Sequence, residues 1–271
     1  VIRECVTCLL CRGHLLIEDV PGVGKTLLAK TLSRSINVDF KRLQFTPDLM
    51  PSDVTGTDVY NQRTGTFEFN RGPVFTNILL TDEINRAAPR TQSSLLECME
   101  ERQVSIGGRS YALDEPFCVI ATQNPVELHG TYPLPEAQVD RFFMQVDVGY
   151  LNTEDEVDIL RTKGSVQAEV EHVISPAEVL QLQKDVENVH LEDSLLYYIV
   201  SIIAASREHG DVQLGASPRG SLALRRASQA WAFINGSDFV SPDHIKAMVF
   251  PVLRHRLILK PQSRLAGVSA E

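Results

Sequence analysis

Glu18-Asp19-Val20-Pro21-Gly22-Val23-Gly24-Lys25-Thr26 follows the apolar run His14-Leu15-Leu16-Ile17 and leads into Leu27-Leu28-Ala29-Lys30-Thr31-Leu32. Strand, glycine turn, Lys-Thr and helix in that order form the arrangement of a phosphate-binding P-loop. A polyphosphate carries several negative charges that must be neutralised at close range. Gly22 and Gly24 have no Cβ, so nearby backbone N–H groups can turn toward a phosphate. A helix beginning at Lys25 adds the positive end of its dipole. Lys25 would place a point charge on the outer phosphates, and the Thr26 hydroxyl would ligate Mg²⁺. Pro21, Gly22, Val23, Gly24, Lys25, Thr26 and Leu27 are the expected nucleotide contacts. The general pattern has glycine where this chain has Asp19. An ordinary glycine turn is the competing reading, and the Lys-Thr pair between strand and helix argues against it.

A second signal lies downstream. Asn77-Ile78-Leu79-Leu80-Thr81-Asp82-Glu83 is an apolar strand ending in two carboxylates. This is the pattern of a Walker B element. Asp82 would hold Mg²⁺ through its water shell, and Glu83 would orient and deprotonate the attacking water. A strand followed by an acidic helix cap produces the same letters; Lys25-Thr26 upstream separates the two readings. A third apolar run, Phe117-Cys118-Val119-Ile120-Ala121-Thr122, ends in Gln123-Asn124-Pro125. An amide at that tip would hold the lytic water or read the γ-phosphate, although turn chemistry alone also explains Asn-Pro. Strands alternating with helix-like segments predict a parallel α/β sheet with its site at the strands' C-terminal ends. No Asn-Lys-x-Asp base-reading motif occurs, which favours ATP over GTP.

The bulk composition fits this reading. At 271 residues the chain can build two domains, and 43% hydrophobic with 23% charged residues describes a globular protein. No apolar run reaches membrane-spanning length, so no membrane association is expected. The opening Val1-Ile2-Arg3-Glu4-Cys5 lacks a basic region followed by an apolar block, so no signal peptide is expected. The formal net charge is −9 with no Lys/Arg run, which counts against a general nucleic-acid surface. Cys5, Cys8 and Cys11 have the C-x-x-C-x-x-C spacing that raises a metal reading. They also share one broad face of the apolar stretch Val6 to Leu10, with no fourth ligand nearby. Buried thiols in a reducing cytosol are the favoured reading.

From Asp19 onward the chain resembles the MoxR family of AAA+ ATPases. The resemblance is carried by the P-loop string above and by Asp82-Glu83-Ile84-Asn85-Arg86-Ala87, Thr91-Gln92-Ser93-Ser94-Leu95-Leu96-Glu97 and Ala121-Thr122-Gln123-Asn124-Pro125. Most specific is Tyr132-Pro133-Leu134-Pro135-Glu136-Ala137-Gln138-Val139-Asp140-Arg141-Phe142. In this family Asp at position 19 is normal. Chains of the family usually begin earlier, so a segment ahead of Val1 is expected. The resemblance implies that Asn124 is sensor 1, that Arg141 is the arginine finger and that Arg219, in Ser217-Pro218-Arg219-Gly220, is sensor 2. A surface ion pair with Asp140 or Glu136 is the plain alternative for Arg141. Arg219 carries a hint of its own. Ser217-Pro218 is a good N-cap and N1 pair, so Arg219 falls in a helix's first turn, where the dipole disfavours a cation. Solvent exposure is its plain alternative.

The domain plan follows. Residues 1–150 are expected to form the nucleotide-binding α/β unit, and residues 151–271 a small all-α lid. Residues 46–72, with a hairpin turning at Thr64-Gly65, resemble the helix-2 insert of this AAA+ branch. Residues 102–114 alternate about Gly107-Gly108 and match the pre-sensor 1 hairpin. In the lid, Thr153-x-x-Glu156 and Ser175-x-x-Glu178 read as capping boxes, Ser217-Pro218 and Ser241-Pro242 as helix starts, and His209-Gly210 and Asn235-Gly236 as stops. Leu195, Ile199, Ile202 and Ile203 share one helical face.

The resemblance implies an ATP- and Mg²⁺-dependent, chaperone-like machine in the cytoplasm. It would work as a homo-oligomer, a hexameric ring, on a client protein, together with a protein carrying a von Willebrand factor A domain. Two alternatives stand beside it. A nucleic-acid-dependent motor is disfavoured by the acidic balance, and a nucleotide-regulated binding switch with little turnover is disfavoured by Glu83.

Overall fold

The computed structural model describes residues 1–20, 22–124, 130–161 and 170–270. In chain order these form α1 (Ile2–Leu10), β1 (Leu15–Glu18), α2 (Lys25–Ser35), β2 (Phe40–Gln44), α3 (Pro51–Thr55), β3 (Gly56–Asn61), β4 (Thr66–Arg71), β5 (Ile78–Asp82) and α4 (Pro89–Glu101). Then follow β6 (Gln103–Ile106), β7 (Arg109–Ala112), β8 (Cys118–Gln123), α5 (Glu136–Val139), β9 (Met144–Val146), α6 (Thr153–Arg161), α7 (Pro176–Glu187) and α8 (Asp193–Glu208). The last elements are β10 (Val212–Leu214), α9 (Pro218–Ile234), α10 (Pro242–Leu253), β11 (Ile258–Leu259) and α11 (Pro261–Leu265).

Five strands form one sheet in the order β2-β5-β8-β1-β9, and every pairing is parallel. Such a sheet must be covered on both faces, so its strands read as continuous apolar runs whose alternate side chains enter different cores. Ile17, Ile78, Leu80 and Ile120 point into one core; Leu16, Leu79 and Val119 point into the other. All seven are 2% exposed or less, and each such burial contributes roughly 1.5–3 kcal/mol. His14 joins the layers. Its Nδ1 accepts from the Val119 N–H at 2.9 Å, and its Nε2–H donates to the Met99 carbonyl at 3.0 Å.

The first core runs on into the helical part of the chain, where it takes in Ile199, Ala223, Leu224, Ile245 and Met248. α9 is central there and packs against α7, α8 and α10. Its buried Ala223, Ala227, Ala230 and Ala232 allow this close approach. Ile199 and Ile203 are buried on α8, with Leu195 and Ile202 packed beside them, as the periodicity predicts. α1 also packs on α7 and α9, and Gln183 Nε2 donates to the Leu9 carbonyl at 2.8 Å. A short antiparallel β10–β11 ladder accompanies these helices.

The capping signals locate the helix starts well. Ser175 and Glu178 form the expected reciprocal box, and Ser217 and Ser241 cap α9 and α10. At α6 the cap falls one residue early, because Asn152 Oδ1 accepts from the Asp155 N–H at 2.8 Å. The hairpins β3–β4 and β6–β7 form where the alternation places them. Gly107 and Gly108 have φ of 59° and 75°, the two positive values a tight two-residue turn requires. The hairpins also touch each other. Phe69 of β4 stacks on Tyr111 of β7 with ring centroids 4.3 Å apart, and a Cβ built at Gly107 would stand 2.7 Å from Asp58 Oδ2. No helix among the described residues is long and apolar enough to cross a membrane.

Candidate functional site

Parallel order brings the C-terminal ends of β1, β5 and β8 to one edge of the sheet. A cleft of about 200 Å³ opens there, lined by Gly22, Gly24, Lys25, Thr26, Arg42, Gln44, Asp82, Glu83, Thr122 and Asn124. Gly22 and Gly24 have φ of 90° and 88°, and a Cβ at either would meet nothing within 4 Å. Glycine is therefore required by backbone conformation, and the space beside the loop stays open to a ligand. α2 starts at Lys25, with Gly24 as its N-cap. Lys25 Nζ donates to the Asp19 carbonyl at 2.8 Å. Burial lowers the Lys25 pKa, while Asp19, Asp82 and Glu83 oppose that shift.

Asp19 explains its own departure from the P-loop pattern. Its Oδ1 accepts from the Val20 N–H at 2.7 Å. Its Oδ2 accepts from the N–H groups of Val148 and Gly149 at 2.8 and 2.7 Å. The side chain thus faces away from the phosphate cradle and ties the loop to the segment leaving β9.

The two carboxylates at the tip of β5 are held by neighbours on both sides. Arg42 Nε donates to Asp82 Oδ2 at 2.5 Å. Thr122 Oγ1 donates to Asp82 Oδ1 at 3.3 Å and accepts from the Glu83 N–H at 2.9 Å. Glu83 has φ of 57°, Gln44 Nε2 donates to its Oε2 at 2.7 Å, and Arg86 Nε lies 3.0 Å from the same oxygen. Sequence reasoning missed Arg42, Gln44 and Thr122. Arg42 and Gln44 are two residues apart on β2 and pair with Leu80 and Asp82 of β5, so strand alternation sends both toward the cleft. That alternation was the available signal.

The predicted residues fall into three sets. Gly22, Gly24, Lys25, Thr26, Asp82, Glu83 and Asn124 meet in the cleft. Val23 and Leu27 lie next to it in sequence but not in its lining, and Leu27 is 60% exposed. Pro21 lies outside the described residues, as does Pro125. Arg141 and Arg219 form a separate set. Arg141 Nη2 lies 3.1 Å from Glu100 Oε2, and Arg219 Nη2 lies 2.9 Å from Glu100 Oε1. The two guanidiniums share one carboxylate, outside the cleft lining.

The donor set suits a nucleotide with Mg²⁺. A glycine turn at a helix start offers N–H groups, Lys25 offers a cation, and Thr26 and Asp82 offer the oxygen ligands that Mg²⁺ prefers. The cysteines suit packing. Cys5, Cys8 and Cys11 are buried; burial pushes the Cys5 thiol up to about 12 and the other two well up. Among the described residues no group of three or more His, Cys, Asp or Glu side chains is placed to hold a metal ion.

Residues 14–144 match the family described as ATPase family associated with various cellular activities (AAA), and residues 204–271 match the AAA lid domain. Chaperone MoxR1 of Mycobacterium tuberculosis is 41% identical over 100% of this chain and 74% of its own length. Protein MoxR of Paracoccus denitrificans is 31% identical over 96% of this chain and 84% of its own. A crystal structure of a Cytophaga hutchinsonii protein assigned to the ATPases superposes with a TM-score of 0.91 at 43% identity, covering 99% of this chain and 84% of that one.

Proposed function

The chain belongs to the MoxR family of AAA+ ATPases, and from that membership we propose that it binds and hydrolyses ATP to drive the maturation or assembly of client proteins. The observation that carries this reading is the meeting of Lys25-Thr26 with Asp82-Glu83 around one cleft at the sheet edge. Gly22 and Gly24 let the loop wrap the phosphates, and Lys25 neutralises them. Thr26 and Asp82 would hold Mg²⁺, which screens the phosphate charge when bound. Glu83, positioned by Gln44, Arg86 and the Thr122 hydroxyl, takes the proton of the attacking water. Asn124 lines the same cleft and would orient that water.

Arg141 and Arg219 sit side by side on Glu100, so we assign both to a phosphate brought by an adjacent subunit. This calls for a homo-oligomer, and a hexameric ring is the arrangement we propose. Residues 1–150 would form the nucleotide-binding unit and residues 151–271 the lid. We place the protein in the cytoplasm, with a protein bearing a von Willebrand factor A domain as its partner. The decisive experiment uses Glu83→Gln. It is expected to bind ATP at wild-type affinity and to lose turnover by about 100-fold or more. Hydrolysis at the wild-type rate would remove Glu83 as the base.

A further inference from the structure

Arg256 is 6% exposed and lies in the single helical turn that follows α10. A guanidinium has five N–H donors, and a buried one must find partners for them. Here all five are used. Nε donates to Asp140 Oδ1 at 2.7 Å. Nη2 donates to the carbonyls of Phe142 and Asp140 at 2.7 and 3.3 Å. Nη1 donates to the carbonyls of Phe143, at 3.1 Å, and Val252. Four of the five bonds therefore end on residues 140–143, the turn that carries Arg141. The other carboxylate oxygen of Asp140 accepts from Ser217 Oγ at 3.0 Å. Ser217 is the N-cap of α9, and its Oγ accepts from the Arg219 N–H at 3.2 Å. One buried cation thus fixes the backbone on both sides of Arg141 and, through Asp140 and Ser217, the helix start that carries Arg219.

From this geometry we infer that Arg256 is a positioning residue for hydrolysis. It holds Arg141 and Arg219 at the spacing at which both grip a single anionic group, as they grip Glu100. Arg256 itself is not among the described residues that line the cleft. The inference rests on the reading of Arg141 as a residue that acts on an adjacent subunit's phosphate. Two guanidiniums displaced by a fraction of their bond length no longer converge on one phosphoryl group, so the loss falls on the chemical step and not on nucleotide binding.

The test compares Arg256→Gln, Arg141→Ala and the double variant in the assembled protein. Arg256→Gln is expected to lower kcat by about 10- to 100-fold with KM for ATP changed by less than about threefold. The double variant should be slower than Arg141→Ala alone by less than the full Arg256→Gln factor, because Arg256 acts partly through that guanidinium and partly through Arg219. Asp140→Asn keeps the carbonyl bonds of Arg256 but removes the charge and turns one accepting oxygen into an N–H donor, so it carries the same test should Arg256→Gln not fold. A folded Arg256→Gln or Asp140→Asn protein with wild-type kcat, beside a slow Arg141→Ala, would overturn the inference and leave the finger reading standing. Losses that add in full to that of Arg141→Ala would overturn it too, by assigning Arg256 to general stability. Full turnover in Arg141→Ala would overturn the finger reading and this inference with it.

Discussion

The carboxylate of Asp19 accepts three backbone N–H groups, one in the P-loop and two in the segment after β9. Removing it leaves three part-buried donors without that partner. Asp19→Ala is expected to cost about 2–4 kcal/mol in unfolding free energy and to weaken ATP binding, since the loop that presents the phosphate donors loses its brace. Denaturant unfolding and nucleotide titration measure the two effects. Unchanged ATP affinity in a folded variant would limit Asp19 to holding the segment that leaves β9. His14 gives a pH dependence. Burial lowers its pKa from the ordinary 6.5 to about 3, so the folded ring stays neutral where an unfolded histidine is charged. Below 6.5 the unfolded chain binds more protons, so stability is full above that value and falls as pH drops toward 3. His255, buried beside Arg256, adds in the same direction. Denaturant midpoints that stay flat from neutral pH to about pH 5 would contradict this. Asp19 also marks a limit of legibility. Its letter was visible in the sequence, but its partners lie 129 and 130 residues away, and no local pattern announces them.

At the scale of elements, the strands that build the cleft were legible because each is an apolar run ending in polar residues at a strand tip. Lys25, Thr26, Asp82, Glu83 and Asn124 were read from that pattern, and all five line the cleft. β2 is not legible as an apolar run, because Lys41, Arg42 and Gln44 are polar and the strand sits at the sheet edge, where burial pressure is weaker. The helix caps were legible because they are local. Ser175 accepts from the Glu178 N–H, and Glu178 Oε2 accepts from the Ser175 N–H at 2.7 Å. These bonds lower the Glu178 pKa. Ser175→Ala is expected to destabilise α7 by about 1 kcal/mol, read as a lower melting temperature with ATP turnover unchanged. A loss of turnover at unchanged stability would give this cap a role beyond helix initiation.

At the scale of the whole molecule, the two candidate arginines are not among the residues lining the cleft of their own chain, and the proposed action between subunits can be tested directly. Lys25→Ala subunits cannot bind ATP but keep Arg141; Arg141→Ala subunits keep the cleft but lack the guanidinium. Mixing them is expected to restore a measurable fraction of wild-type hydrolysis, while each alone stays near background. Absence of rescue in assemblies shown to be mixed would refute action between subunits. The two hairpins carry a different consequence. Because Phe69 stacks on Tyr111 and Asp58 crowds Gly107, segments about 40 residues apart in sequence pack as one body against the second core. Neither can be shortened, grafted or redesigned alone without exposing an aromatic face on the other.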